Sequence, residues 1–197
     1  GLNGAYVFNG CNNPSLNITV EDGNPSFYSR DGMLFKNNNV LVAGVNKKNL
    51  IIPDGTVAIG YGAFYGCTSL TSISIPDSVV DISDSAFMGC TSLVTVHIPA
   101  GVFKIRSNAF EGCTSLISVT MAAGVTEIGV EAFKGCTSLK TVVFSAGIDS
   151  IREDAFKGCE SLQKITFPGA SMPDMSGKSL AVGNRIVNVT ASFDDPM

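Results

Sequence analysis

The cysteines of this 197-residue sequence are the side chains most able to do chemistry. Five of the six recur at one constant interval, at Cys67, Cys90, Cys113, Cys136 and Cys159. An even number of cysteines in a secreted protein often indicates disulfide bridges. Equivalent residues of stacked repeats, however, lie about 4.8 Å apart with parallel Cα–Cβ vectors, whereas a disulfide needs Cβ atoms that turn toward each other. We therefore expect buried, reduced thiols that pack as small apolar groups, with bridged or reactive cysteines as the alternative.

Other catalytic and metal chemistry lacks a matching set of residues. His97 is the only histidine, and its outward strand position faces away from the inward cysteines, so no Cys–His nucleophilic pair is expected. One histidine without Cys-x-x-Cys spacing does not indicate a zinc site. The acidic residues are scattered and we interpret them as solvated charges, although two carboxylates about 5 to 10 Å apart would suit a glycoside hydrolase. The sequence thus predicts no catalytic residue, no metal site and no cofactor, and a hydrolase stays open only as an alternative.

Composition and charge limit the kinds of partner. Apolar residues make up 45% of the chain and charged residues 15%, which is enough to bury the core of one ordinary domain. Thirteen Lys and Arg against 17 Asp and Glu leave a net charge of -4, so the chain offers no positive field to a nucleic acid. No apolar run approaches the roughly 18 residues of a membrane-spanning helix. We expect neither nucleic-acid binding nor membrane insertion by this segment.

A sequence repeat with the same constant interval must position all of these side chains. In the copy that begins at residue 63, apolar residues from Leu70 to Ile75 alternate with Ser72 and Ser74, which predicts a β-strand that ends at Pro76. About seven apolar side chains at about 1.5 to 3 kcal/mol each do not offset an ordering cost of about 1.5 kcal/mol per residue. One copy therefore cannot fold alone. Stacked copies bury one another, which predicts a solenoid.

The repeat unit resembles the BspA-like leucine-rich repeats. The shared pattern is A-F-x-G-C-T-S-L-x-x-I-x-I-P-x-x-V-x-x-I, and it covers residues 50–169 closely. The resemblance implies a β-rich, right-handed solenoid with one parallel concave sheet of about eight strands, and with short strands or 3-10 or helical turns on the other wall. It also implies a bacterial or protist surface or secreted protein that acts in adhesion and protein binding and not, through this domain, as an enzyme.

The regular repeats have differing segments on both sides. We predict one domain, with an N-terminal cap over 1–49, regular repeats over 50–169 and a C-terminal cap over 170–197. Two apolar runs at 33–35 and 40–45 flank a turn-rich spacer, which predicts a β-hairpin inserted in the N-terminal cap. Residues 17–20 are expected to form an earlier strand of the stack, and residues 186–189 a last one.

The outward strand positions form the candidate ligand-binding surface, which we call the strand face. Its residues are Ser72, Ser74, Thr95, His97, Ser118, Thr120, Thr141, Val143, Lys164 and Thr166. Stacking places them in two columns that are rich in hydroxyl groups and nearly uncharged. A flanking column consists of Thr71, Val94, Ile117, Lys140 and Gln163, in which Val94 and Ile117 would form a small apolar spot. The alternative is that Ser and Thr occur here only for β-propensity and solubility.

The sequence therefore predicts a non-catalytic binding module. We expect an extracellular or cell-surface domain whose strand face recognises a protein or glycan. A structural spacer or stalk that presents other domains is the alternative from a different class.

Overall fold

Short β-strands joined by tight turns make up the part of the chain that the computed structural model describes, which comprises residues 15–144, 147–168, 181–182, 185–186 and 189–192. In chain order the strands are β1 (Phe27–Arg30), β2 (Met33–Lys36), β3 (Val40–Ala43), β4 (Asn49–Ile51), β5 (Ala58–Ile59), β6 (Ser72–Ser74), β7 (Asp81–Ile82), β8 (Thr95–Ile98), β9 (Lys104–Ile105), β10 (Ser118–Met121), β11 (Glu127–Ile128), β12 (Thr141–Val143), β13 (Ser150–Ile151), β14 (Lys164–Pro168), β15 (Ala181–Val182), β16 (Arg185–Ile186) and β17 (Val189–Ser192). These described ranges contain no helix.

Two sheets form opposite walls of a solenoid. The front sheet has the order β4-β6-β8-β10-β12-β14-β17, and all its neighbouring strands are parallel. The back sheet has the order β1-β2-β3-β5-β7-β9-β11-β13 and is parallel from β3 onward. Residues one period apart face each other, as Thr95 and Ser118 do. The prediction of a stacked repeat with a parallel sheet and short strands on the other wall is confirmed.

Two predicted strands are placed wrongly. Residues 17–20 form no strand, because the Ile18 N–H donates to the Gly32 carbonyl at 2.9 Å and Ile18 packs beside Leu34 of the N-terminal hairpin. Within the described residues the front sheet has seven strands, close to the predicted number of about eight. Its last strand is β17, not 186–189, because Val189 pairs with Ile165, slightly more than one repeat earlier in the chain. Most of the predicted C-terminal cap lies outside the described residues.

The phenylalanine column forms the centre of the core. Phe64, Phe87, Phe110, Phe133 and Phe156 are at most 2% exposed. Their rings stack at centroid distances of 5.0–5.3 Å with interplanar angles of 3–6°. The leucine and cysteine columns are also buried, so all three columns point into one interior as the spacing predicts.

The five described cysteines are buried and form no disulfide bridge, which confirms the prediction of unbridged thiols. Four of them donate to the backbone carbonyl of the phenylalanine 26 residues earlier: Cys90 to Phe64, Cys113 to Phe87, Cys136 to Phe110 and Cys159 to Phe133, at 3.1–3.3 Å. Burial raises the pKa of Cys113 to about 12. The Cys113 thiol therefore stays protonated at neutral pH. The four thiol hydrogen bonds link each coil to the coil before it. Cys11 lies outside the described residues.

An antiparallel hairpin extends the back sheet at its N-terminal end. Strands β1, β2 and β3 pair antiparallel, and β3 joins β5 in parallel. Gly44, just after β3, lies so close to the first repeat that a Cβ atom there would overlap the ring of Phe64. The hairpin therefore packs directly on the end of the phenylalanine column.

Candidate functional site

All ten residues of the strand face lie on the outer surface of the front sheet, and none of them is buried. The strand registers bring them into two columns. One column runs Ser72–Thr95–Ser118–Thr141–Lys164, and the second runs His97–Thr120–Val143–Thr166. Ser74 pairs instead with Ile51 of β4, whose side chain is 75% exposed. The columns therefore extend one coil further than the sequence analysis placed them, to Asn49 and Ile51, which lie one repeat before Ser72 and Ser74.

Few of the polar groups on the strand face are used within the protein. The Ser72 hydroxyl donates to Asn49 Oδ1 at 2.8 Å, and His97 Nδ1 lies 3.0 Å from Thr120 Oγ1. The remaining strand-face hydroxyls, such as those of Thr95 and Thr141, form no hydrogen bond to protein within the described ranges. Because the backbone ladder fixes their spacing, these groups are available to a ligand at set positions.

A groove runs beside the strand face, and we call it the flank groove. It is lined by Val94, Ser115, Ile117, Ser138, Lys140 and Ser161 and has a volume of about 350 Å³. Backbone hydrogen bonds of 2.8 Å link Ile117 to Val94 and Lys140 to Ile117, so the lining residues come from consecutive coils. Ile117 is 41% exposed. The sequence indicated the apolar pair, but not the serine hydroxyls that face it.

Charges are distributed differently on the two walls. Ion pairs lie along the back sheet and its following turns: Arg106–Asp81 (2.6 Å), Lys104–Glu127 (2.9 Å), Arg152–Glu127 (2.8 Å), Lys134–Glu131 (2.8 Å), Lys134–Glu111 (3.4 Å) and Lys157–Asp154 (2.7 Å). Hydrogen bonds from Arg152 and then Lys104 lower the pKa of Glu127. On the other wall, no carboxylate of the described chain forms an ion pair with Lys140 or Lys164. These two exposed ammonium groups are free to meet an external partner.

Neither wall holds a constellation for metal chemistry in the part of the chain that the structure describes. No three His, Cys, Asp or Glu side chains in these ranges could hold a metal ion together. Nor do the described residues include a helix of the length and hydrophobicity needed to cross a bilayer. The strand face and its flanking column can supply hydrogen bonds, one imidazole and two ammonium groups to a ligand.

The stacked coils, the in-register ladders and the buried phenylalanine and leucine columns define a leucine-rich-repeat solenoid. The model of the BspA type leucine rich repeat region matches residues 37–163 in six copies, which is more than half of the chain. The chain therefore belongs to the BspA-type leucine-rich repeat family.

Solved bacterial structures share the fold. The T. pallidum leucine-rich repeat protein TpLRR is 33% identical, with a TM-score of 0.62 over 66% of this chain and 63% of that one. The pneumococcal vaccine antigen PcpA is 23% identical, with a TM-score of 0.70 over 80% of this chain and 40% of that one. A leucine-rich repeat protein from Eubacterium ventriosum is 22% identical, with a TM-score of 0.67 over 80% of this chain and 49% of that one. The chain thus spans less than two thirds of each of these proteins, and no curated protein matches it.

Proposed function

We propose that this chain is a non-catalytic binding module of a secreted or cell-surface protein, which recognises a protein or glycan through its strand face. Membership of the BspA-type family supports a repeat protein without a catalytic centre of its own. The similar proteins from bacteria, one of them a vaccine antigen, support an extracellular location.

The observation that carries the proposal is the ladder of unused polar groups on a rigid sheet. Thr95, Ser118 and Thr141 follow one another in register on parallel strands, and their hydroxyls make no hydrogen bond to the described chain. A ligand that lies across the coils would meet equivalent groups about every 4.8 Å. Because the scaffold is already ordered, binding would require little further ordering of the protein.

The test is a substitution that changes the strand face in four consecutive coils. The variant carries Ser74→Lys, His97→Lys, Thr120→Lys and Val143→Lys. A matched variant carries four lysines on the back wall, at Val57, Val80, Phe103 and Thr126, which are all exposed and also lie one per coil. Both variants and the unmodified chain are applied to arrays of purified extracellular proteins and of glycans.

We expect at least one ligand whose affinity falls tenfold or more in the strand-face variant and stays within about twofold in the back-wall variant. If a ligand loses affinity only for the back-wall variant, it binds the back sheet and the proposed role of the strand face is wrong. If neither array yields a ligand, the chain acts as a spacer and the proposal is overturned. Turnover of a glycoside or peptide substrate by the purified chain would instead favour a hydrolase.

A further inference from the structure

Lys164 of the strand face and Lys140 of the flanking column form no ion pair within the described part of the chain. Every Lys and Arg on the back wall from Lys104 to Lys157 is held by a carboxylate, whereas Lys140 and Lys164 are exposed without one. The two lie in adjacent coils, because the Lys164 N–H donates to the Lys140 carbonyl at 3.1 Å. The protein as a whole carries a net charge of -4, so a positive pair here is a local feature. Such a pair attracts carboxylate groups of a partner.

The flank groove adds an apolar contact to this positive pair. Val94 and Ile117 lie two coils and one coil before Lys140, and the Ile117 side chain is 41% exposed. Hydroxyl groups of Ser115, Ser138 and Ser161 line the same groove and form no hydrogen bond to the described chain. They can bind the peptide groups of an extended segment that lies in the groove.

The spacing of these groups matches an extended peptide that runs across the coils. Coils are about 4.8 Å apart, so Lys140 lies about 7 Å along the stack from the midpoint of Val94 and Ile117. Lys164 lies about 12 Å along the stack, in the neighbouring column opposite Thr141. Along an extended chain, residues i+2 and i+4 lie about 6.6 and 13 Å from residue i, and all three side chains point to the same side. An apolar residue i would therefore contact Val94 and Ile117 while acidic residues i+2 and i+4 reach the two lysines.

A peptide fits this site better than a glycan. Sugar rings commonly pack on the side chains of Phe, Tyr and Trp, and none of these lies on the strand face or lines the flank groove. The exposed Tyr and Phe residues of the described chain, Tyr61 and Phe103, flank strands of the back sheet instead.

We propose that the flank groove binds an extended acidic segment of a protein ligand with the pattern apolar-x-acidic-x-acidic. The inference rests on the proposed function, because it names the ligand class and the part of the front wall that selects it. Val94 and Ile117 hold the apolar side chain, the serines bind the backbone, and Lys140 and Lys164 bind the two carboxylates.

The test is a selection from a phage-displayed library of random 12-residue peptides against the whole chain. Enriched peptides should carry the pattern. Their affinity should fall at least tenfold for the variant Lys140→Glu/Lys164→Glu, because attraction is replaced by repulsion. Lys36→Glu/Lys157→Glu is the matched control, since two exposed lysines away from the groove make the same total charge change, and binding should stay within about twofold. Ile117→Ser tests the apolar contact and should also weaken binding.

Salt gives a second readout that does not depend on any variant. Raising the ionic strength from about 0.1 to about 1 M shortens the Debye length from about 10 to about 3 Å and should weaken the selected peptides. The same change should have little effect on the residual binding to Lys140→Glu/Lys164→Glu.

Each other outcome overturns the inference in a recognisable way. Selected peptides without acidic residues, or peptides insensitive to Lys140→Glu/Lys164→Glu, would overturn it. If those peptides still lost affinity for the strand-face variant, the proposed function would stand. If the library yields no enriched peptide but the glycan array yields a ligand, the inference is likewise overturned and the proposed function stands. A failure of peptides, proteins and glycans alike would overturn both proposals.

Discussion

Removing one ring from the phenylalanine column tests the coupling between coils. Phe110 is fully buried, and its ring stacks on Phe87 at 5.1 Å and on Phe133 at 5.3 Å. A buried Phe→Ala change costs about 3–5 kcal/mol, and an aromatic pair contributes about 0.5–1.5 kcal/mol beyond its buried area. Because Phe110→Ala loses two such pairs, we expect a fall of about 4–5 kcal/mol in the free energy of unfolding. Phe64→Ala loses the single stacked pair with Phe87 that the described chain gives it, so its cost should be about 0.5–1.5 kcal/mol smaller.

The assay is urea unfolding followed by far-ultraviolet circular dichroism. Thr120→Ala is the control, because Thr120 is exposed and its removal should change the free energy of unfolding by no more than about 0.5 kcal/mol. The slope of the transition should be compared as well, since a repeat protein can unfold in parts once a central interface is weakened. Equal costs for Phe110→Ala and Thr120→Ala would refute the assignment of inward and outward positions.

Three further changes probe the end of the stack, the thiols and the ion pairs. Gly44→Ala should lower the free energy of unfolding in urea by about 1–3 kcal/mol, because its Cβ would overlap the ring of Phe64. Adding Phe64→Leu to this variant should recover part of the loss, and an unchanged free energy of unfolding in Gly44→Ala would contradict the packing. Because the pKa of Cys113 is raised to about 12 in the folded protein and is about 8.5 in the unfolded chain, its contribution to stability is complete below about pH 8.5 and is lost as the pH rises toward about 12. The free energy of unfolding should therefore fall between about pH 9 and pH 11, and in Cys113→Ala this fall should be about 2 kcal/mol smaller. The lowered pKa of Glu127 gives stability that is present above about pH 4.3 and is lost at lower pH, so Glu127→Gln should cost less than about 1 kcal/mol at pH 7 and nothing in strong acid; an equal cost at both pH values would exclude the ion pairs as its cause.

The sequence predicts the regular coils well because their period and their alternation act together. The alternation of Leu70, Ile73 and Ile75 with serines sets the inward and outward sides, and the constant length of the repeat then sets the pairing of neighbouring strands. This is why Ser118 and Thr141 lie opposite each other as predicted. A register shift by one residue would turn every apolar side chain outward, so the core itself enforces the pairing.

The parts that were missed depend on contacts that no period describes. Residues 17–20 have a strand-like alternation, but hydrogen bonds to the hairpin compete with pairing in the front sheet. A second feature does follow the period but changes its residue type: the same turn position after the back strand adopts a positive φ of 55–58° at Ser85, Asn108, Glu131 and Asp154. The Asn108 side chain donates to Glu131 at 3.0 Å, and Lys134 donates to the same carboxylate at 2.8 Å, so side-chain bonds accompany this unusual backbone.

The candidate site was only partly visible in the sequence. The strand face follows from alternation alone, and the apolar pair Val94 and Ile117 follows from the flanking column. The sequence does not show that Lys140 and Lys164 lack an ion pair, because an ion pair depends on which acidic residues the turns bring near. Lysines at other positions of the same repeats, such as Lys134, are paired.

The uniform register of the coils has a consequence for how such genes can change. Five nearly identical copies of the motif that contains Cys67 and Leu70 give recombination many points of alignment. Gain or loss of one whole period would leave each remaining coil against a neighbour of the same cross-section, since the rings repeat at 5.0–5.3 Å throughout. Each such event would lengthen or shorten the strand face by about 4.8 Å without a new core having to evolve.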